Sequence, residues 1–244
     1  MIKLERVDPP EKLTSIEIEK LTKEFKKTDK NVWGKEYIKE QLLRMSNNKC
    51  AYCEAPLDIS GSYMEVEHFF PKSKYPDKVV EWDNLLPSCK RCNIKKGNID
   101  PNDYNLINPT TANPKEHLSL NKYRIIGLDK IGKNTVRLLN LNDISKLVLN
   151  RALIGEVLSE KLESLADDVD ELLEGNVLSK KMKIRNSMIS LLEEVQPQNS
   201  YSATLATILL SDPYYSSVKQ FLIKQTLWDE ELIQLESVAI TISL

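Results

Sequence analysis

The four cysteines of the chain fall into two pairs, Cys50-Ala-Tyr-Cys53 and Cys89-Lys-Arg-Cys92, with the thirty-five residues 54 to 88 between them. This frame constrains the fold more than any other feature. Each pair suits a tight knuckle that offers two thiolates, at about 2.3 Å, to one tetrahedral ion. Zn²⁺ is the expected occupant; two disulfides or four buried thiols are the competing readings. No leader-like apolar stretch stands at the Met1 end, so the chain is expected in a reducing cytoplasm, where disulfides rarely persist. Four thiolates close the coordination sphere, and such an ion holds a fold without activating water. Metal-dependent chemistry then requires a second ion.

Between the pairs lies Glu65-Val66-Glu67-His68-Phe69-Phe70-Pro71. Its alternation on a β-branched and aromatic background predicts a short strand that Pro71 ends. On a regular strand Glu65 and Glu67 share one face while Val66 and His68 share the other. A kink or bulge is therefore expected before Glu67 and His68 can act on one phosphate. The segment from Trp82 to Asn98 reads as a loop, the second knuckle and a short helix. A strand pair followed by a helix around a metal is the implied geometry.

The order C-x-x-C, an acidic residue followed by His, then N-L-x-x-x-C-x-x-C-N-x-x-K runs in register from Cys50 to Lys96. In these residues the chain resembles the HNH, or ββα-metal, endonuclease family in its four-cysteine form. The resemblance implies that His68 is the general base and that Glu67 and Asn93 hold a catalytic Mg²⁺ or Mn²⁺. It also implies that Asn84 supports the loop orienting the histidine. Two positions depart from the commonest pattern: Glu67 stands where Asp is usual, and Asn93 where His is frequent. Glu67 reaches further than Asp, so the ion is displaced or Glu65 shares it. The residue types suit the chemistry, because a neutral imidazole can take a proton from water and a hard divalent cation prefers carboxylate, amide and phosphate oxygens. The plainer alternative makes His68 a structural strand histidine or a zinc ligand. Against it, the thiolates already fill a zinc site, and the only other histidine, His117, lies outside the frame.

Local charge agrees with a phosphate substrate. Lys90, Arg91, Lys95 and Lys96 crowd the second knuckle, and Lys72, Lys74 and Lys78 follow the histidine. Lys96, Lys95, Arg91 and Lys72 are the candidate contacts to a nucleic-acid backbone, although any one lysine is more simply part of a solvated face. The whole chain is formally −2, and from Asn121 onward it carries fourteen basic against seventeen acidic residues. So little positive charge gives weak long-range attraction to DNA, which points to delivery by a partner.

The expected class is α+β and mainly helical: a ββα-metal core stapled by four cysteines, N-terminal helices and a C-terminal helical region. Residues 1–48 are expected to form an arm and helices packing on the core, 49–120 the core itself, and 121–244 a helical region that binds a partner. Helices are predicted over Ser15–Lys27, Trp33–Met45, Leu147–Leu173, Leu178–Val195, Ala203–Leu210 and Tyr214–Trp228, with Gly175-Asn176 as a stop signal. A turn-rich connector spans Asp100 to about Leu118. The terminal Val238–Leu244 is apolar and β-prone, suited to an edge strand or to insertion into another subunit. No apolar stretch is long enough to span a membrane.

A narrower resemblance covers about the first 150 residues. Met1-Ile-Lys-Leu-Glu-Arg6, Val66-Glu-His-Phe-Phe-Pro-Lys-Ser73, Ile107-Asn-Pro-Thr110, Asn113-Pro-Lys-Glu-His117 and Arg137-Leu-Leu-Asn-Leu-Asn142 are similar to the HNH subunits of Septu anti-phage systems, including relatives found beside retrons. This implies an effector nuclease held by an ABC-type ATPase, PtuA. Three readings follow: a DNA endonuclease leaving 5′ phosphates, the same fold cutting tRNA, and a non-catalytic zinc module that binds nucleic acid or a partner.

Overall fold

The strand expected in the Glu65–Pro71 segment forms over Met64–His68, and its partner is Leu85–Cys89, which the sequence suggests as loop before the second knuckle. In the computed structural model, which describes residues 1–57, 64–172 and 178–244, the chain divides into two units. One comprises Met1–Ser119 with Ile125–Asn142, the other Leu120–Arg124 with Asp143–Leu244. The boundary drawn from the sequence at 120/121 falls inside a hairpin whose turn groups with the second unit. The described residues are mainly helical with two short ribbons, the α+β class expected. No helix among the described residues is long and apolar enough to cross a membrane.

In the first unit an extended arm leads to α1 (Ser15–Thr28) and α2 (Glu36–Met45). Thr14 caps α1 by accepting from the amide of Glu17. The second predicted helix starts three residues later than its periodicity suggests. Asn31 Oδ1 accepts from the amide of Gly34 at 2.8 Å, and this turn keeps Trp33 out of the helix. From α2, Ile38, Leu42 and Leu43 are buried against an antiparallel ribbon. The ribbon pairs β1 (Met64–His68) with β2 (Leu85–Cys89), in a register that runs from Met64 opposite Cys89 to His68 opposite Leu85. It contains no bulge, so the expected kink in β1 is absent. Helix α3 (Lys90–Lys96) follows β2 directly and closes at Gly97, whose φ of +46° suits a glycine.

The connector holds the short α4 (Pro101–Tyr104), then β3 (Leu118–Asn121) pairs with β4 (Arg124–Gly127) and α5 (Lys130–Leu138) follows. Asp129 caps α5 through the amide of Gly132 and also takes His117 Nδ1 at 2.6 Å. A side chain at Gly132 would meet the carbonyl of His117 at 2.0 Å, so the close approach demands glycine.

The second unit is helical. A π-helical turn, Ile144–Val148, leads into α6 (Leu149–Leu172), followed by α7 (Leu178–Glu194), α8 (Ser202–Ser211), α9 (Pro213–Lys224) and α10 (Glu230–Ile242). Leu158, Leu162, Leu165 and Val169 of α6 share a core with Met188, Leu192, Val218 and Leu222. The predicted stop at Gly175-Asn176 lies outside the described residues. The C-terminal strand reading is overturned. Val238–Ile242 completes α10, because Asp229 caps the helix and Leu232, Leu235, Ala239 and Ile242 recur at helical spacing toward the core. Tertiary packing here overrides the β-propensity of the terminal residues.

Candidate active site and metal centre

The two knuckles meet where β2 ends. The amide of Ala51 donates to the carbonyl of Pro87 at 2.9 Å, tying the first knuckle to the strand that carries the second. Glu54, at φ +59°, turns the chain behind Cys53. The four Sγ atoms lie within 4.8 Å of one another, and Cys53 and Cys89 stand 3.7 Å apart. Four ligands at the usual zinc–sulfur distance define a tetrahedron with edges of about 3.8 Å, so the donor set fits one metal ion. All four thiols are free, and the separation is far from an S–S bond, which removes the disulfide reading. Cys89 also caps α3, accepting from the amide of Cys92 at 3.5 Å.

Beside this centre is a cavity of about 390 Å³ lined by Trp33, Glu65, Glu67, His68, Lys72 and Asn93, among others. His68 is 6% exposed. Burial pushes its pKa down to about 4, with the charges of Lys72 and Lys96 adding to the effect against a hydrogen bond to Val79. The ring is therefore neutral at physiological pH. Its Nε2 lies 2.8 Å from the carbonyl of Val79. A carbonyl only accepts, so Nε2 carries the proton and Nδ1 is the basic nitrogen. Trp33 stands edge-on to the imidazole, with ring centroids 5.0 Å apart.

Asn84 organises the loop that supplies this carbonyl. Its Oδ1 accepts from the amide of Phe70 at 2.7 Å, and its Nδ2 donates to the carbonyls of Phe70 and Lys78 at 3.1 and 2.9 Å. Glu65 and Glu67 share the face of β1 that α3 covers. Glu65 contacts the side-chain amide of Asn93. Glu67, 1% exposed, faces the Lys96 ammonium at 3.3 Å. Among the described residues that oxygen has no aligned hydrogen-bond partner. Burial raises the pKa of Glu67 to about 8 despite the opposing charge of Lys96. Two carboxyl groups and an amide, one acceptor unsatisfied, form an oxygen-rich set that suits a hard divalent cation, whose charge favours the ionised form of Glu67.

The four lysine and arginine candidates separate. Lys72 lines the cavity with Nζ 4.8 Å from the centre of the Trp33 ring, and Lys95 is exposed on α3. Lys96 is completely buried; its Nζ donates to the carbonyl of His68 at 3.2 Å and pairs with Glu67. Arg91 turns to the carbonyl of Asn140 and to Cys92 Sγ. Lys96 thus serves the interior, where the backbone of a polymer cannot reach it, while Arg91 is half-buried and turned toward the chain's own groups. Trp33 and the Val79 carbonyl were not identifiable as site elements from sequence; the Asn31 to Gly34 turn signal was the only trace of the first.

Replacing Lys96 with methionine is expected to destabilise the protein by about 3 kcal/mol, the lower end of what breaking a buried pair costs, because Glu67 can take up a proton. Adding Glu67→Gln is expected to recover most of that loss. Urea midpoints for the four proteins of the cycle check both statements.

The HNH endonuclease family matches residues 50–98, the stretch that contains both knuckles, β1, β2 and α3. The chain is 46% identical to the Septu protein PtuB of Bacillus thuringiensis over 95% of its own length and 90% of that protein. It is 29% identical to the Septu protein PtuB of Bacillus mycoides, over 71% of this chain and 73% of that one. A stretch of 80 residues, 33% of this chain, is 32% identical to 7% of the CRISPR-associated endonuclease Cas9 of Corynebacterium diphtheriae.

Proposed function

Because the chain belongs to the Septu PtuB family and carries an HNH endonuclease domain, we propose that it hydrolyses DNA phosphodiester bonds as the effector of an anti-phage defence complex with an ABC-type ATPase of the PtuA kind. One observation carries the reading: a neutral His68, its Nε2–H committed to the Val79 carbonyl, lines the same cavity as Glu65, Glu67 and Asn93. Nδ1 of His68 takes a proton from water, and the resulting hydroxide attacks phosphorus. Lys72 holds the neighbouring phosphate by charge. Glu67 and Asn93, with Glu65 sharing, would hold Mg²⁺ or Mn²⁺, which when bound supplies stabilisation of charge on the departing 3′ oxygen. The product ends are then 5′ phosphates. The ion at Cys50, Cys53, Cys89 and Cys92 is Zn²⁺ in this reading and has a structural role. A formal charge of −2 on the whole chain fits an enzyme brought to DNA by its partner.

Cleavage of plasmid DNA and of bulk tRNA by the purified protein with Mg²⁺ or Mn²⁺, alone and with the co-expressed ATPase, tests the proposal. Metal-dependent cutting of DNA is expected. Cutting of tRNA alone would transfer the same chemistry to RNA. No cutting of either polymer, with the thiolate-bound ion in place and the fold intact, would favour a non-catalytic binding module.

A further inference from the structure

Arg6 stands well upstream of the segment that matches the HNH family, yet its guanidinium is held against that segment's central loop. Nη1 donates to the carbonyls of Trp82 and Leu85 at 2.9 and 2.8 Å, and Nη2 donates to that of Asp83 at 2.7 Å. These three carbonyls flank Asn84 on both sides. A planar fork with several donors can serve three acceptors at once, which a lysine ammonium on its flexible stem does less well. The side chain is 19% exposed; the two bonds made by Nη1 are partly buried, and the one made by Nη2 is open to solvent.

The arm that carries Arg6 is anchored on both sides of that residue. Met1, Ile2 and Leu4 are buried, the amide of Leu4 donates to the carbonyl of Pro109 at 2.8 Å, and Trp82 Nε1 donates to the carbonyl of Val7 at 2.9 Å. The fork is therefore fixed at its base as well as at its tip. From there the hydrogen bonds run without a break. Arg6 fixes the backbone on either side of Asn84, the Asn84 side chain fixes Phe70 and Lys78, and the next residue, Val79, presents the carbonyl that His68 Nε2 meets at 2.8 Å.

We propose that Arg6 is a positioning residue for the nuclease reaction, holding the 82–85 turn so that Asn84 and the Val79 carbonyl keep His68 in the tautomer with a basic Nδ1. The inference rests on the reading of His68 as the base. It makes the N-terminal arm part of the active site's support.

The test compares Arg6→Gln and Arg6→Lys with the parent protein, each with its ATPase partner, beside His68→Ala. Single-turnover cleavage of plasmid DNA gives the rate of the chemical step, steady-state cleavage gives KM, and ¹⁵N chemical shifts of the His68 ring report its tautomer without reference to activity. Arg6→Gln is expected to lower the rate about tenfold to a hundredfold, the scale of a misplaced catalytic group, with KM unchanged and with mixed Nδ1–H and Nε2–H signals. Arg6→Lys keeps the charge without the fork; it is expected to fall between Arg6→Gln and the parent, and it carries the test if Arg6→Gln does not fold. A parental tautomer in the folded variants, or a shifted tautomer with an unchanged rate, overturns the proposal. If His68→Ala cleaves as well as the parent, the reading of His68 as base has failed instead, and the two failures are separable.

Discussion

His68→Ala is expected to lower the rate of metal-dependent phosphodiester cleavage about a thousandfold, within the range that a placed general base contributes. Three features single out this side chain. Burial and nearby ammonium charges keep the ring neutral, the Val79 carbonyl fixes which nitrogen carries the proton, and the ring lines the cavity that contains the oxygen-rich group. Removing the imidazole leaves that group and Lys72 in place, so DNA binding in the presence of Mg²⁺ is expected to change little. Quenched-flow cleavage under single-turnover conditions, with a separate binding measurement, reads the two effects. A variant that binds DNA and cuts within threefold of the parent would remove His68 from the mechanism.

The second large effect concerns the thiolate centre. Cys53→Ser or Cys92→Ser is expected to abolish stoichiometric zinc binding and to lower Tm by about 10 °C or more, since each kcal/mol moves Tm by roughly 2–4 °C in a chain of this size. The ribbon explains the sensitivity. Five residues in each of β1 and β2 form a two-stranded sheet, and an isolated two-stranded ribbon is marginal in water. Structural zinc contributes about 10–16 kcal/mol of apparent binding energy in small zinc domains, and part of that is available here to hold the knuckles together. Calorimetry paired with metal analysis checks this. Unchanged melting in a protein shown to have lost its ion would mean that packing by α2 and α3 holds the ribbon without it.

How much of this was legible in the chain depends on the range of the forces involved. The cysteine frame was readable because metal ligation imposes spacing within a few residues, and the leucine stripes of α6 and α7 because helical period is local. The terminal helix was not. Its β-branched residues favour a strand in isolation, and only the distant core that receives Leu232 and Ala239 decides otherwise. The burial of Lys96 was hidden for the same reason, because a lysine three residues after Asn93 looks like a phosphate contact until Glu67 of another element is placed opposite it. Trp33 reaches His68 from a loop thirty-five residues away, and no periodicity encodes such a meeting. The bulge expected in β1 is absent, since the alternating faces let α3 cover both glutamates while the histidine meets Trp33 and Val79.

Cys89 ends β2, caps the first turn of α3 and supplies one of the four sulfurs, while Asn93 follows one turn later on the same helix. A turn of helix advances about 5.4 Å, so the sulfur cluster and the oxygen cluster are ruled off along one short rod. Whatever shifts Cys89 therefore shifts Asn93 with it, so a single element sets the register of both clusters.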